Sequence, residues 1–351
     1  MQFNLNQTAT LERLKEFADK LTELANQIGF KVSARGWCYQ LESERLINKN
    51  EFDKVESWIN NCRKRGILPV DFTAEEEGRK FSGVEEPDEI SPVRHMGKYV
   101  NASLHAEDYY TPDWWEGEKY YIQMLVEKID LKTLFTPVCE QYHIPIATSK
   151  GWSSVLQRAT YARRFKEAED NGLICVLLYC GDHDPDGGRI SDFIIKNLHD
   201  IQGIVWEDGE TGYDPSNLQI KRFGLEADFI KKHNLTWIDN LITGSGRNLA
   251  SPSHKNHDMP YVQNYIKEFG VRKCEANAIV PMPVIARKLA EDAIIKFVGT
   301  NAKSRFAAKS DAIKKELDKF REKTGLDKSL RRALDIIKKE PEPKKEEDED
   351  D

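Results

Sequence analysis

Asp182, Asp184 and Asp186 stand at alternate positions in GDHDPDGG (181–188), directly after the apolar run LICVLLYC (173–180). Carboxylates that close repel one another, so the spacing asks for a positive partner. In an extended segment residues i and i+2 share a side, which puts Asp182 and Asp184 together. Pro185, Gly187 and Gly188 force a turn that brings Asp186 close. A fourth acid, Glu127, ends another apolar run, YYIQMLVE (120–127). Hard carboxylate oxygens gathered at two strand ends suit Mg2+, which takes one or two protein carboxylates and completes its shell with water and phosphate oxygens. The alternative is helix capping: acids are favoured at a helix N-terminus such as the one expected near Gly188. Capping accounts for one aspartate and leaves the others unexplained.

A second constellation is Arg35 and Tyr39 in ARGWCY (34–39). A phenol with a pKa near 10 is a poor nucleophile until a base or cation assists it. A guanidinium nearby can hold phosphate oxygens and stabilise the charge that develops on them. The plain reading is that Tyr39 packs with its hydroxyl bonded and that Arg35 makes a structural contact. Arg63, Lys64 and Arg65 in CRKRG (62–66), with Lys150 in SKGWSS (149–154), are candidate phosphate contacts. Their plain readings are a solvated helix end and a glycine turn. His183, pointing away from its aspartate neighbours along a strand, is expected to pack rather than ligate.

Elements must position these groups. Leu11, Leu14, Phe17, Leu21 and Leu24 recur at helical spacing, which predicts a helix over 8–29. Two or three helices with a short extended return are expected in this part, one of them with Phe52, Val55, Ile59 and Cys62 on one face, stopped by Gly66 and Pro69. From Tyr120 the pattern alternates: strand into helix (120–135), strand into glycine turn (144–154), helix (153–170), strand (173–184), helix (187–201). Strands alternating with helices predict an α/β fold with a parallel sheet. Residues 243–258 read as a polar loop, and 278–298 and 303–337 as helices.

The expected organisation is therefore an α-rich N-terminal part (1–80), a connector (81–117), an α/β part with a C-terminal extension (118–337) and a disordered acidic tail (338–351). The chain has 351 residues, 39% of them hydrophobic and 32% charged, and a net charge of −7. The tail holds eight acids against four bases, whereas 303–332 holds eleven bases against five acids. Basic stretches of that kind can neutralise phosphates, although most are solvated helix faces. The six cysteines form no C-x-x-C pair, so reduced thiols are expected. No apolar run is long enough for a membrane span and the N-terminus lacks a signal-peptide core, which predicts a cytoplasmic protein without a membrane partner.

Glu127 at a strand end, the KGWSS turn and GDHDPDG together resemble a Toprim domain. The order of parts resembles more closely the A subunit of topoisomerase VI and the meiotic double-strand-break transesterases, in which a winged helix carrying Arg-x-x-x-Tyr precedes the Toprim domain. Here that pair is Arg35 and Tyr39. The stretches 220–235 and 272–289 are similar to the family's C-terminal Toprim extension, with Glu275 at its acidic position. The resemblance covers roughly residues 28–298. It implies a winged-helix domain followed by a Toprim domain, and a homodimer acting on double-stranded DNA with Mg2+. In such a dimer Tyr39 of one subunit attacks a phosphodiester while Glu127, Asp182 and Asp184 of the other hold the metal, Asp186 supporting a second ion or its waters. A resealable 5′-phosphotyrosyl link results.

Two features depart from the family. The N-terminal extension that docks an ATPase B subunit is reduced to one helix, and this chain carries no ATPase motif, so any such subunit would be separately encoded. Aspartate stands at the third position of DPDG, as in type IIA enzymes. The chain therefore resembles the compact stand-alone A-subunit homologues of viruses and mobile elements. Two rival expectations remain: a hydrolytic Toprim nuclease, and a DNA-binding protein without catalysis.

Overall fold

A computed structural model of the chain describes residues 3, 5, 8–74, 87–88, 90–149, 155–243 and 246–340. The chain divides into two compact units. The first joins residues 1–77 to 117–299; the second joins 78–116 to 300–351. The N-terminal helices fall in the same unit as the sheet, and residues 78–116 in the same unit as the C-terminal helices.

Among its described residues the first unit begins with three α-helices. α1 (Leu11–Ile28) is N-capped by Thr10 and ends at Gly29, whose φ of 72° closes the last turn. It buries Leu14, Phe17, Leu21 and Leu24, as the periodicity predicts. α3 (Phe52–Lys64) buries Phe52, Val55, Ile59 and Cys62. Between them the structure corrects the expected extended return: Ala34–Ser43 is a helix, α2. Ser33 caps it by accepting the Gly36 N–H at 3.1 Å. The helix is covered on nearly every side: Gly36, Trp37, Cys38, Tyr39, Gln40 and Leu41 are all buried. Among the described residues from 8 to 74 there are helices and turns and no strand.

Among its described residues the α/β part is built on four strands: β1 (Tyr120–Val126), β2 (Ile146–Thr148), β3 (Ile174–Cys180) and β4 (Gln219–Arg222). All pairings are parallel and the order is β2-β1-β3-β4. β1 and β3 are central and nearly continuously buried, which is why both read as unbroken apolar runs. α5 (Ile129–Gln141) connects β1 to β2, and α6 (Val155–Asp170) carries the chain back past β1 to β3. The strand order thus reverses beside β1, and the carboxyl ends of β1 and β3 border the switch point where ligands sit in open α/β sheets. After β3 come α7 (Ile190–His199), β4, α8 (Ala227–Lys232), α9 (Pro260–Phe269) and α10 (Pro283–Val298). No helix among the described residues is long and apolar enough to cross a membrane.

The second unit contains α4 (Pro92–Leu104), α11 (Ala302–Thr324) and α12 (Leu326–Ile337). Gly325, at φ 67°, turns α11 into α12. Arg321 is buried in an ion pair with Glu107 at 2.8 Å, and the Trp114 and Trp115 rings meet Phe306 edge-on. Of the expected acidic tail, residues 341–351 lie outside the described residues.

Candidate functional site

The register of β1 on β3 assembles the site. Val126 lies opposite Cys180, and the Glu127 N–H donates to the Cys180 carbonyl at 3.0 Å. The next residues on the two strands are therefore Glu127 and Gly181–Asp182. The Asp182 N–H donates to Glu127 Oε2 at 2.8 Å. A Cβ on Gly181 would stand 2.8 Å from that carboxylate oxygen and 2.6 Å from Tyr179 Cε1, so any larger residue would force these side chains to move. Past Asp182 the chain turns. Asp184 Oδ1 accepts the Gly187 N–H at 2.6 Å, and Asp186 Oδ1 accepts from Tyr261 Oη at 3.2 Å. Arg222, at the end of β4, donates to the Asp182 carbonyl at 2.6 Å.

All four acids line one cleft of about 650 Å³, together with Lys49, Lys128, Lys273 and Glu275. The positive partner that the aspartate spacing asks for is present within the chain as Lys128. Its Nζ lies 2.9 Å from Glu127 Oε1 and 3.3 Å from Asp182 Oδ2. Burial pushes the Glu127 carboxyl up, but Lys128 and the Asp182 N–H outweigh it and hold Glu127 below the usual range. Asp182 goes the other way, raised by burial and by the Glu127 charge. Burial, with the charges of Asp182, Glu127 and Asp186, raises Asp184 to about 6 although the Gly187 N–H opposes it. The donor set therefore has the chemistry a hard divalent cation needs: oxygen ligands whose mutual repulsion an ion would relieve. In this arrangement no three His, Cys, Asp or Glu among the described residues are gathered closely enough to hold one. Asp182 and Glu127 are engaged with the Lys128 ammonium instead.

The segment after α9 adds a residue to the same cleft. Cys274 pairs with His183 through two backbone hydrogen bonds, 2.8 and 3.1 Å. This bridge sets Glu275 beside the aspartates and lets the Ala276 N–H donate to Asp182 Oδ1 at 2.7 Å. Glu275 lies 3.6 Å from both Lys49 Nζ and Lys273 Nζ, and burial raises its carboxyl. His183 packs among Trp237, Tyr265 and Phe269, and burial with the nearby Arg222 charge lowers its imidazole to about 4.

Tyr39, on α2, is 5% exposed. It lines a small pocket with Glu42, Lys49 and Glu275. Lys49, Ile238 and Glu275 also line the acid cleft, so the two share a wall. The Tyr39 ring meets Phe52 edge-on at 5.1 Å, and Lys49 Nζ stands 4.2 Å from its centroid. Burial, with help from the Arg35 and Lys273 charges, lowers Lys49 to about 8. Arg35, one helical turn before Tyr39, reaches Glu56 at 3.2 Å and Asp53 at 3.5 Å.

The structure thus brings Glu127, Asp182, Asp184 and Asp186 to one cleft and Tyr39 to its edge. Arg63, Lys64 and Arg65 end α3 and are not among the residues lining either space; Arg63 Nε donates to the Val70 carbonyl at 2.7 Å. Lys150 lies outside the described residues. Sequence reasoning missed both Lys49 and Lys128: Lys128 adjoins Glu127 in the chain, which is the one signal that could have found it, while nothing near Lys49 in the chain marks it. No model of a known family matches the chain, and no curated protein or solved structure matches it either.

Proposed function

We propose that the chain is a Mg2+-dependent DNA-cleaving transesterase of the topoisomerase VI A-subunit type, with an N-terminal winged-helix-like part and a Toprim-like α/β part, working as a homodimer on double-stranded DNA. The observation that carries this reading is the shared wall between the Tyr39 pocket and the cleft that holds Glu127, Asp182 and Asp184. A nucleophile candidate and a set of hard oxygen ligands face one region, as cleavage of a phosphodiester requires. Glu127, Asp182 and Asp184 would hold the ion, which supplies positive charge to phosphate oxygens when bound.

In the proposed step the Tyr39 hydroxyl oxygen bonds to phosphorus and loses its proton. The bond from phosphorus to the 3′ oxygen breaks, and that oxygen leaves as a 3′-hydroxyl after taking up a proton. The 5′ end stays on the tyrosine. Arg35 stabilises the charge that builds on the phosphate oxygens. The burial of Tyr39 favours a second reading, a hydrolytic nuclease in which water attacks and Tyr39 only packs.

The deciding experiment denatures the protein after incubation with supercoiled DNA and Mg2+, then looks for protein bound covalently to 5′ ends. Transesterification gives an adduct that Tyr39→Phe abolishes while DNA binding persists. Hydrolysis gives free 5′-phosphate ends and a Tyr39→Phe variant that still cuts. No cutting by any variant would leave a DNA-binding protein.

A further inference from the structure

Lys49 opens the short turn Lys49–Glu51 that leads into α3. Its ammonium stands 4.2 Å from the Tyr39 ring centroid and 4.6 Å from that of Phe52. The Arg35 guanidinium lies 4.8 Å from the same Phe52 ring. Two cations are thus held against one aromatic ring beside the candidate nucleophile. Aromatic faces attract each cation, but they do not cancel the repulsion between the two.

Arg35 has carboxylates to answer it in Glu56 and Asp53. Among the described residues Lys49 has no carboxylate at hydrogen-bond length, although the Glu42 and Asp182 charges act on it from farther off. Its nearest carboxylate oxygen among them is Glu275 Oε2, at 3.6 Å, and Glu275 is shared with Lys273 at the same distance. A half-buried ammonium at the border of two spaces, with its counter-charge beyond hydrogen-bond length, suits an anion arriving from outside.

We infer that Lys49 is a substrate-binding residue whose ammonium takes a phosphate oxygen of the DNA strand that passes between the Tyr39 pocket and the acid cleft. The inference rests on the reading of this face as the one that meets DNA. Lys49 differs in role from Lys128, which is matched by two carboxylates at 2.9 and 3.3 Å. From its place over the Tyr39 ring, the Lys49 ammonium also neutralises charge on the phosphate that the tyrosine attacks.

The test measures binding of a short labelled duplex over a salt series, with Tyr39→Phe as background so that cleavage does not disturb the equilibrium. Each phosphate contact contributes about 0.9 to the slope of log affinity against log salt. Lys49→Met, which keeps most of the apolar stem, should lower the slope by about one contact. Lys49→Arg should keep it. With Tyr39 intact, Lys49→Met should also slow adduct formation by about 10²-fold or more. A folded Lys49→Met protein with an unchanged salt slope would overturn the inference and leave Lys49 as a counter-ion to Glu275. Lys49→Gln repeats the measurement should the methionine variant fold poorly. A wild type that binds DNA without any adduct would defeat the transesterase reading alone, since the slope still decides whether Lys49 meets phosphate.

Discussion

Asp130, on α5, accepts two hydrogen bonds from Ser33: one from its backbone N–H at 2.5 Å and one from Oγ at 2.7 Å. Ser33 is the N-cap of the helix that carries Tyr39, so a carboxylate of the α/β part holds that helix by its first turn. The same carboxylate accepts from Asn277 Nδ2 at 2.9 Å, two residues after Glu275. Asp130 is 1% exposed, and Gly36 leaves it room, because a Cβ there would stand 2.9 Å from Oδ2.

Burial raises the Asp130 carboxyl, against the opposing bonds from Ser33 and Asn277. A folded value above the unfolded one means that the native state binds more protons. The contribution to stability is therefore complete below the ordinary aspartate value of 3.8 and is lost as pH rises through the raised one. Asp130→Asn removes this term. Denaturant unfolding at acidic and at neutral pH should show the wild type gaining on the variant as pH falls. A stability gap that does not move with pH would contradict the assignment.

Lys128→Met leaves Glu127 and Asp182 facing each other without their cation. Breaking a fully buried pair costs about 3–5 kcal/mol; with a third of the lysine side chain exposed, about 2 kcal/mol is expected here. Mg2+ or Mn2+ should then raise the melting temperature of the variant more than that of the wild type, because the ion meets no resident ammonium. Equal melting temperatures without metal would show that Lys128 does not bridge the pair in solution.

Gly181→Ala should be harmful out of proportion to its size. The added methyl meets the Tyr179 ring and the Glu127 carboxylate, one of which must move. Overpacking of this kind costs about 1–3 kcal/mol. It should also displace Glu127 from the Asp182 N–H and suppress DNA cleavage. A variant with wild-type melting temperature and cleavage would mean the strand ends are looser than the hydrogen bonds indicate.

Complementation separates attack across a dimer from attack within one chain. The wall that the Tyr39 pocket and the acid cleft share within one chain predicts attack within that chain. Mixing Tyr39→Phe subunits with Asp184→Asn subunits should therefore restore no cleavage, and partial recovery would place the attack across the dimer. With subunit exchange demonstrated, a mixture as inactive as either parent would assign the tyrosine to its own chain's cleft.

The sequence by itself determined the central strands and the acid-bearing turn between them and the next helix. β1 and β3 are legible because both faces of a central parallel strand are covered, which leaves an unbroken apolar run ending at Glu127 in one case and before Asp182 in the other. α1 and α3 are legible through their 3.6-residue periodicity. The tertiary structure alone decided the rest. α2 is short, and GFKVSARGWCYQL carries no strong helical period; its cap and its packing make it a helix. β4 is a polar four-residue edge strand, recruited by a neighbour already in place. Joining 78–116 to 300–351 depends on contacts across some two hundred residues, which no local pattern encodes. The same holds for the site. Four acids could be singled out by type and spacing, and Tyr39 through the family resemblance. That Lys128 bridges two of the acids, that Asp130 holds the tyrosine helix, and that Lys49 stands over the Tyr39 ring depend on distances through space. Charge and hydrogen bonding act over a few ångströms, whatever the separation along the chain.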